Sequence, residues 1–477
     1  MGKNISAIMA HVALVLAVLL VIGILGSIAS AQQSEGAEKF TGELERGATI
    51  RVLENDTAIK QGYLSELITA FNEEYKEYNI KVVDANMDQY TDLETDGPYG
   101  YGPDVLYQAN DRIMRYPENR HILPLPVEEF DCYEYVSEKA WQAYTTKVDG
   151  QEYVFGIPVN VQGPLLYYRK DLLPENWQTE WDDDKNGVPD MIEYWTDLYR
   201  YSKQVKDDSG GTKFGYMRSF LEPYFSVGYL YSYGGYTFGD KNTNPADIGH
   251  SAGNAEYGGR IIRQLASVMD ERCIDDSVTT GAYAAIASGE FFATITTPDV
   301  YTMFVDEMKA AGYSNEYIAE NLVTTYIPEL PASGDLEDES QGFIDCNMMG
   351  GVQGYCISSY TKYPNASLAF IKFATTYKMI KLRNTLLGIV PARSDVADEV
   401  GGLSEIINSN LEKGNITVMP SIKENAQIWT PLQTLFQDLA KDAFRKGSEV
   451  KYASLESIKE ALKKVDQQIY DGIFTLQ

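Results

Sequence analysis

Apolar positions along the chain switch between a period of two and a period near 3.6, which predicts strands alternating with helices. "ATIRVLEN" (48–55) alternates as a strand, and "QGYLSELITAFNEEYKEY" (61–78) carries apolar residues at helical spacing. "NIKVVDA" (79–85) completes a β-α-β start, and a Gly/Pro-rich stretch then leads to a further strand in "DVLYQA" (104–109). This order implies an α/β lobe whose ligands gather at the carboxyl ends of the strands. "EYVFGIPVNVQGPLLYYRKDLL" (152–173) returns strand-like runs broken at Pro158 and Gly163. "ASLAFIKFATTYKMIKL" (366–382) and "LESIKEALKKVDQQIYDGI" (455–473) read as amphipathic helices.

The first 31 residues follow neither period. Lys3 is the sole charge before Glu35, and the apolar run "IMAHVALVLAVLLVIGILGSIASA" (8–31) ends in Ala29-Ser30-Ala31, a pattern a signal peptidase accepts. The run is also long enough to span a bilayer, so an exported chain with a cleaved leader (1–31) and an uncleaved N-terminal anchor are both compatible with it. "ILGS" (24–27) has serine where a bacterial lipoprotein box needs cysteine, and no cysteine precedes Cys132. Residues 32–47 read as a tether.

The 477 residues are too many for one ordinary core and point to two lobes. A formal charge of −29 leaves no phosphate-tracking surface and sets nucleic acid aside as a partner. Cys132, Cys273, Cys346 and Cys356 would allow three pairings if oxidised. An extended path from Cys346 to Cys356 spans roughly 33 Å, which argues against their joining each other.

Two motifs bear on chemistry. "GHSAG" (249–253) fits a nucleophile elbow, but it follows no buried strand, and none of His11, His121 and His250 lies beyond Ser251. It reads as a turn into the helix "AEYGGRIIRQLASVM" (255–269). "DDDKNGVPDMIE" (182–193) is spelled like a calcium loop. Asp182, Asp184, Asn186, the Val188 carbonyl, Asp190 and Glu193 fall at the ligand positions, and Gly187 supplies the turn. Pro189 lacks the N–H by which paired loops join, so a lone structural Ca2+ is expected, with an acidic solvated turn as the alternative.

Six segments in order resemble the extracytoplasmic solute-binding proteins of sugar ABC importers, most closely the maltose- and maltodextrin-binding proteins. They are "GPDVLYQANDR" (102–112), "FGIPVNVQGPLLYYRKDLLP" (155–174), "LEPYFSVGYLYSYGGYTFGD" (221–240), "AAIASGEFFATITTP" (284–298), "MMGGVQGYCISSYTKYPNASLAFIKF" (348–373) and "VMPSIKENAQIW" (418–429).

The resemblance implies an α/β, two-lobed periplasmic-binding-protein-like fold with discontinuous lobes and a hinge. Lobe 1 would comprise 48–158 and 354–398, and lobe 2 162–350 and 402–477, with crossings near 158–163 and 350–354. An oligosaccharide, maltose or maltodextrin by resemblance, would bind between the lobes. The implied hydroxyl-binding residues are Asp111, Arg112, Glu222 and Tyr224, with Trp429 stacking and Tyr301 standing where the family has a stacking tryptophan. Gln108 and Asp299 also stand at family tryptophan positions, and Gln162 replaces a sugar-binding glutamate, so stacking surface is exchanged for amide capacity. Also implied are an extracytoplasmic location, a monomer, and delivery to an ABC transporter permease without catalysis. An exported carbohydrate-active enzyme and a receptor for a non-sugar solute are the alternatives.

Overall fold

Ten strands, numbered along the chain, build the two larger sheets: β1 (Thr49–Leu53), β2 (Lys81–Asp84), β3 (Val105–Ala109), β4 (Ile157–Gln162), β5 (Leu165–Arg169), β6 (Phe214–Tyr216), β7 (Phe291–Thr296), β8 (Leu322–Thr325), β9 (Met348–Ile357) and β10 (Ile416–Val418). The computed structural model describes residues 39–275 and 277–475. The apolar run expected as a leader and the first part of the expected tether lie outside the described residues. Residues 39–47 are not slack, since Glu45 accepts from Asn365 N (3.0 Å) and Ala366 N (2.7 Å) and Phe40 and Leu44 pack on the first core.

In the first sheet β1 pairs in parallel with both β2 and β3, so Leu53, Asp84 and Ala109 end at one edge. β9 runs antiparallel to β3 and to β4, and its first three residues pair in parallel with β10. The second sheet has the order β8-β5-β7-β6. The first sheet lies mainly in one hydrophobic core but reaches into another, which holds the second sheet. Ile50, Val52, Leu106, Ile157, Val159, Val352 and Tyr355 belong to one, and Val161, Leu165, Trp195, Ile295, Met348 and Met349 to the other. Core membership therefore changes between Val159 and Val161 on β4 and between Met349 and Val352 on β9. Two lobes are joined by a hydrogen-bonded pair of strands rather than by a slack linker.

Glycine makes that crossing close-packed. A Cβ on Gly354 would meet the Ile157 carbonyl oxygen at 2.2 Å, and one on Gly350 would lie 2.3 Å from Ile416 Cγ2. Neither has a positive φ, so these glycines serve close approach of chains and not an unusual backbone turn. Pro158 does not break its run as expected. β4 continues through it because the register shifts beside it, between Gln353 and Gly354, and the missing N–H is tolerated at that irregularity.

The long helix expected over 366–382 is two, Pro364–Ala374 and Tyr377–Leu387. Thr375 Oγ1 donates to Ile371 O (2.8 Å) and Thr376 Oγ1 to Phe373 O (2.8 Å), which closes the first helix, while extended backbone at Thr376 opens the second. The last helix, Leu455–Phe474, begins at a Ser454/Ser457 capping box and buries Ile458, Leu462, Val465, Ile469 and Ile473 along one stripe. His250 and Ser251 of "GHSAG" give their backbone N–H groups to Asp466 of this helix (3.0 and 2.9 Å), and His250 Nδ1 lies 3.0 Å from the same carboxylate. The motif is thus a turn clamped to a helix, and it leads into the helix Ala255–Ser267 as expected. All four cysteines are free and buried. Burial pushes the Cys132 thiol up to about 11 and those of Cys273 and Cys346 up to about 12.

The first core closes around one buried ion pair. Glu54, just past β1, and Arg383, on the helix Tyr377–Leu387, are 0% and 1% exposed and pair through both carboxylate oxygens. Tyr355 Oη donates to Glu54 Oε1 (2.8 Å), and the guanidinium lies 3.9 Å from the Tyr107 ring centre and 4.6 Å from that of Tyr63. Burying both charges is costly, but removing one partner strands the other. Arg383→Met is expected to lower unfolding free energy by about 3–5 kcal/mol. Adding Glu54→Gln should restore part of that loss, as read in urea titrations of the two variants.

Candidate functional site

The carboxyl edge of the first sheet supplies one wall of the cleft. β3 runs into the short helix Asn110–Ile113, and its position is set by buried Asn110. Asn110 Nδ2 donates to Met419 O (3.1 Å) and Ser421 Oγ (2.7 Å), while its Oδ1 accepts from Val352 N (3.1 Å). One side chain thus joins β3, the crossing strand β9 and the segment after β10. It presents Asp111 and Arg112 at the strand end. Burial raises the Asp111 carboxyl above its ordinary range, with Arg112 opposing. Arg112 is exposed, and its guanidinium carbon lies 4.6 Å from the centre of the Tyr90 ring.

The facing wall comes from the second lobe. β7 ends at Thr296, and the turn Pro298–Val300 carries Asp299 before the helix that Tyr301 begins. Asp299 Oδ1 is buried without a hydrogen-bond partner, and burial raises this carboxyl too, with the Thr297 hydroxyl opposing. The rings of Tyr301 and Tyr167 are 6.4 Å apart, and Tyr167 Oη donates to Thr297 O (3.1 Å). Glu222 is ion-paired to Arg218, four residues earlier, and Arg218 lies 3.6 Å over the Phe225 ring. The hydroxyl of Tyr224 is buried without a partner. Burial raises that phenol first, and the charges of Asp299 and Asp111 raise it further, so acids from both lobes face one tyrosine.

Between the walls lie the crossing strands. The Tyr107 hydroxyl lies against Asn160 Oδ1 and 2.9 Å from Gln353 Oε1, and Gln353 Nε2 donates to Gln162 Oε1 (3.1 Å). Gln108 Nε2 donates to Gln89 O (2.9 Å). Gln108 Oε1 and Asn160 Nδ2 have no partner, although both are buried. Trp429 is half-buried against the second core and begins the helix Trp429–Asp442, which packs on the turn Pro223–Phe225. The turn just before it, Lys423–Gln427, packs on the helix Asn110–Ile113 of the opposite lobe.

Asp299 and Tyr301 thus lie by the Tyr167 phenol, Asp299 and Asp111 both approach Tyr224, and Gln162 is tied to Gln353 on the crossing strands. Glu222 pairs with Arg218 while staying partly exposed, and Arg112 lies against Tyr90. Sequence reasoning missed Tyr107, Asn160, Arg218 and Gln353. A polar Asn160 inside the apolar run "IPVNV" was the one available signal. Unpartnered buried acceptors and donors on Gln108, Asn160, Tyr224 and Asp299, interleaved with aromatic rings, suit a neutral ligand rich in hydroxyl groups. The histidines His121 and His250 are engaged elsewhere, with Tyr360 and Asp466. Hollows of about 780 Å³ and 430 Å³ elsewhere on the second lobe contain none of the expected ligand residues.

The acidic loop forms a second cluster. Carboxylate oxygens of Asp184, Asp190 and Glu193 lie within 4.8 Å of one another. Asn186 Nδ2 sits 3.1 Å from Asp184 Oδ2 and 3.0 Å from both Glu193 oxygens, an amide donor where the acids converge. Asp182 is buried, with Oδ2 accepting from Gly187 N (3.2 Å) and Oδ1 lacking a partner. Lys185 and Gly187 take positive φ (59° and 83°), and Val188 N donates to Asn186 Oδ1 (2.7 Å). Burial raises the carboxyls of Asp190 and Glu193, with neighbouring aspartates adding to the effect. The loop is fixed to the second core through Met191 and Ile192 and through Glu329 N, which donates to Glu193 O (2.7 Å).

Residues 56–380 match the family model for bacterial extracellular solute-binding proteins. The galactooligosaccharide-binding protein of Bacillus subtilis is 27% identical over 397 residues, covering 80% of this chain and 82% of that protein. The maltodextrin-binding protein MdxE of the same organism is 26% identical over 420 residues, covering 84% and 88%. Among solved structures, the maltose-binding protein MalE of Listeria monocytogenes in complex with maltose matches with a TM-score of 0.67 at 21% identity, over 90% of this chain and 99% of that one. MalX of Streptococcus pneumoniae in complex with maltopentaose gives 0.68 at 18%, over 89% and 100%. The two-lobed fold is shared with both.

Asp299 generates a pH prediction. Folding raises its pKa above the ordinary 3.8, so the folded chain holds a proton there that the unfolded chain has released, and stability falls as pH rises through that window. Asp299→Asn is expected to melt higher than the parent protein at pH 8 and to converge with it near pH 3.8, in scanning calorimetry without ligand.

Proposed function

The chain belongs to the bacterial extracellular solute-binding proteins, and from that premise we propose that it is the substrate-binding component of a carbohydrate ABC importer. It binds an oligosaccharide of the maltose or maltodextrin type between its lobes. The observation that carries this reading is the set of unpartnered buried polar atoms on Gln108, Asn160, Tyr224 and Asp299, drawn from both lobes and their crossing strands. Buried polar groups normally find partners, and sugar hydroxyls, each both donor and acceptor, meet such a mixed set. Asp111, Arg112, Glu222 and Gln162 add polar rim, and Trp429 and Tyr301 offer faces for the apolar side of a pyranose ring. Relatives named for galactooligosaccharide and maltodextrin binding support an oligosaccharide ligand.

No bond is made or broken in this function. Ligand contacting both walls favours the closed arrangement by the difference in its affinity for the two states, and the closed form is what a membrane permease recognises. The family's description and the apolar leader support an extracytoplasmic location.

The loop at 182–193 holds a structural Ca2+ in this reading. Asp182, Asp184, the Val188 carbonyl, Asp190 and Glu193 offer oxygen ligands at the spacing such a loop requires, and Asn186, whose Nδ2 faces the acids, would turn its amide to add its oxygen. The unpartnered Asp182 Oδ1 and the convergence of three further carboxylates support it. A divalent cation there offsets the repulsion among these acids and fixes Met191 and Ile192 in the second core.

Calorimetric titration with maltose, maltotriose, maltotetraose and galactooligosaccharides is expected to give saturable binding with sugar recovered intact. Absence of binding across the panel would point to another solute, and recovered fragments to an enzyme. Trp429→Ala should weaken binding by about 1–3 kcal/mol and abolish the sugar-dependent fluorescence change. Chelation of calcium should lower the melting temperature with little change in sugar affinity; a large affinity loss would contradict a purely structural ion.

A further inference from the structure

Tyr90 is an aromatic ring with no structural task and a built support. It is 60% exposed, whereas Tyr63, Tyr107, Tyr144, Tyr167 and Tyr355 are all nearly or fully buried. Tyr99 and Tyr101 are more exposed still, at 77% and 69%, but they precede β3 in the chain, at the strand end away from Asp111. Tyr90 instead follows the carboxyl end of β2, beside the carboxyl end of β3, on the edge that supplies the cleft wall.

Its loop is anchored on both sides of the ring. Tyr90 N donates to Asp88 Oδ1 (2.7 Å), and Thr91 donates to Asp88 O through both its N–H (2.9 Å) and its hydroxyl (2.7 Å). The neighbouring Gln89 carbonyl accepts from Gln108 Nε2 on β3 (2.9 Å), and the Gln89 side chain accepts from Asp56 N, just past β1 (3.3 Å). A loop after one strand is thereby pinned to the ends of two others. Arg112, whose guanidinium carbon is 4.6 Å from the ring centre, covers one face of Tyr90. The remaining exposed ring surface is held ready at little further entropic cost.

Resting on the carbohydrate-binding reading above, we propose that Tyr90, backed by Arg112, is a second stacking plate for a sugar ring, on the lobe 1 side of the cleft. Trp429 serves the other lobe, so the two plates would grip separate rings of one oligosaccharide. Tyr90 then selects for chain length, because only a sugar long enough to meet both plates gains from it. The Arg112 guanidinium holds the ring in place from one side, the opposite face meets the apolar C–H face of a pyranose, and the phenolic hydroxyl is not required.

The test is titration of the full mature protein and its Tyr90→Ala, Tyr90→Phe and Trp429→Ala variants with maltose, maltotriose, maltotetraose and galactooligosaccharides of two to four units. Tyr90→Ala is expected to weaken the longest sugar bound by roughly five- to thirty-fold and the disaccharide by less than half that factor, with an unchanged melting temperature. Tyr90→Phe is expected to keep the parental affinities. Unchanged affinity for every bound sugar in Tyr90→Ala, alongside weakened binding in Trp429→Ala, overturns the plate and leaves the carbohydrate reading standing. Loss in both Tyr90→Ala and Tyr90→Phe also overturns it, since the hydroxyl and not the ring would then make the contact. Failure of the parent protein to bind any of these sugars overturns the carbohydrate reading itself, and the plate with it.

Discussion

The pairing of β4 with β9 is the constraint on which the site depends. Backbone hydrogen bonds match residues 351–355 of β9 to residues 157–162 of β4, and residues 353–357 of β9 pair with β3. Both strands pass from one hydrophobic core to the other within two or three residues. Side chains at that passage, Asn160, Gln162 and Gln353 among them, belong to neither core. They form a polar floor between two apolar bodies. Glycine at 350 and 354 lets the chains approach closely enough for this, since a Cβ at either position would meet a neighbour at 2.3 Å or less.

Floor and cores both hold buried polar groups, with different surroundings. In the first lobe Glu54, Arg383 and Tyr355 bond to one another between tyrosine rings, leaving Arg383 Nε and the Tyr63 hydroxyl without partners. At the cleft, Gln108, Asn160, Tyr224 and Asp299 each keep a buried polar atom without a partner. Such atoms cost the free protein stability, and a ligand that supplies their hydrogen bonds recovers it. The two networks meet at Tyr107, whose ring faces Arg383 and whose hydroxyl faces Asn160 and Gln353. Rigidity in the core thus positions the groups proposed to meet a ligand.

Local pattern made much of the fold legible. The β-α-β start, the strand at 105–109 and the C-terminal helix follow from periodicity, because burial of one face is a short-range property of a strand or helix. The failures also have local causes that pattern does not register. Pro158 sits inside a strand because its partner shifts register, and the helix at 366–382 divides because two threonine hydroxyls take backbone carbonyls. Of the site, the ordered resemblance pointed to residues such as Asp111, Tyr224 and Asp299, which the tertiary structure sets around one another. Tyr107 and Gln353 went unseen, being single polar groups in apolar strands whose partners lie 53 and 246 positions away in sequence.

By itself the sequence determined the net negative charge, the alternation of elements, the spacing of acidic residues in the loop at 182–193 and the resemblance to a two-lobed family. These depend on residue type and near neighbours, which a linear chain states directly. Tertiary structure alone decided which side chains go unpartnered, which glycines are places of close contact, and that Tyr90 stands on an anchored loop backed by Arg112. Those outcomes turn on contacts between strands far apart in the chain, and a hydrogen bond exists or is missing only once both of its ends have been brought together.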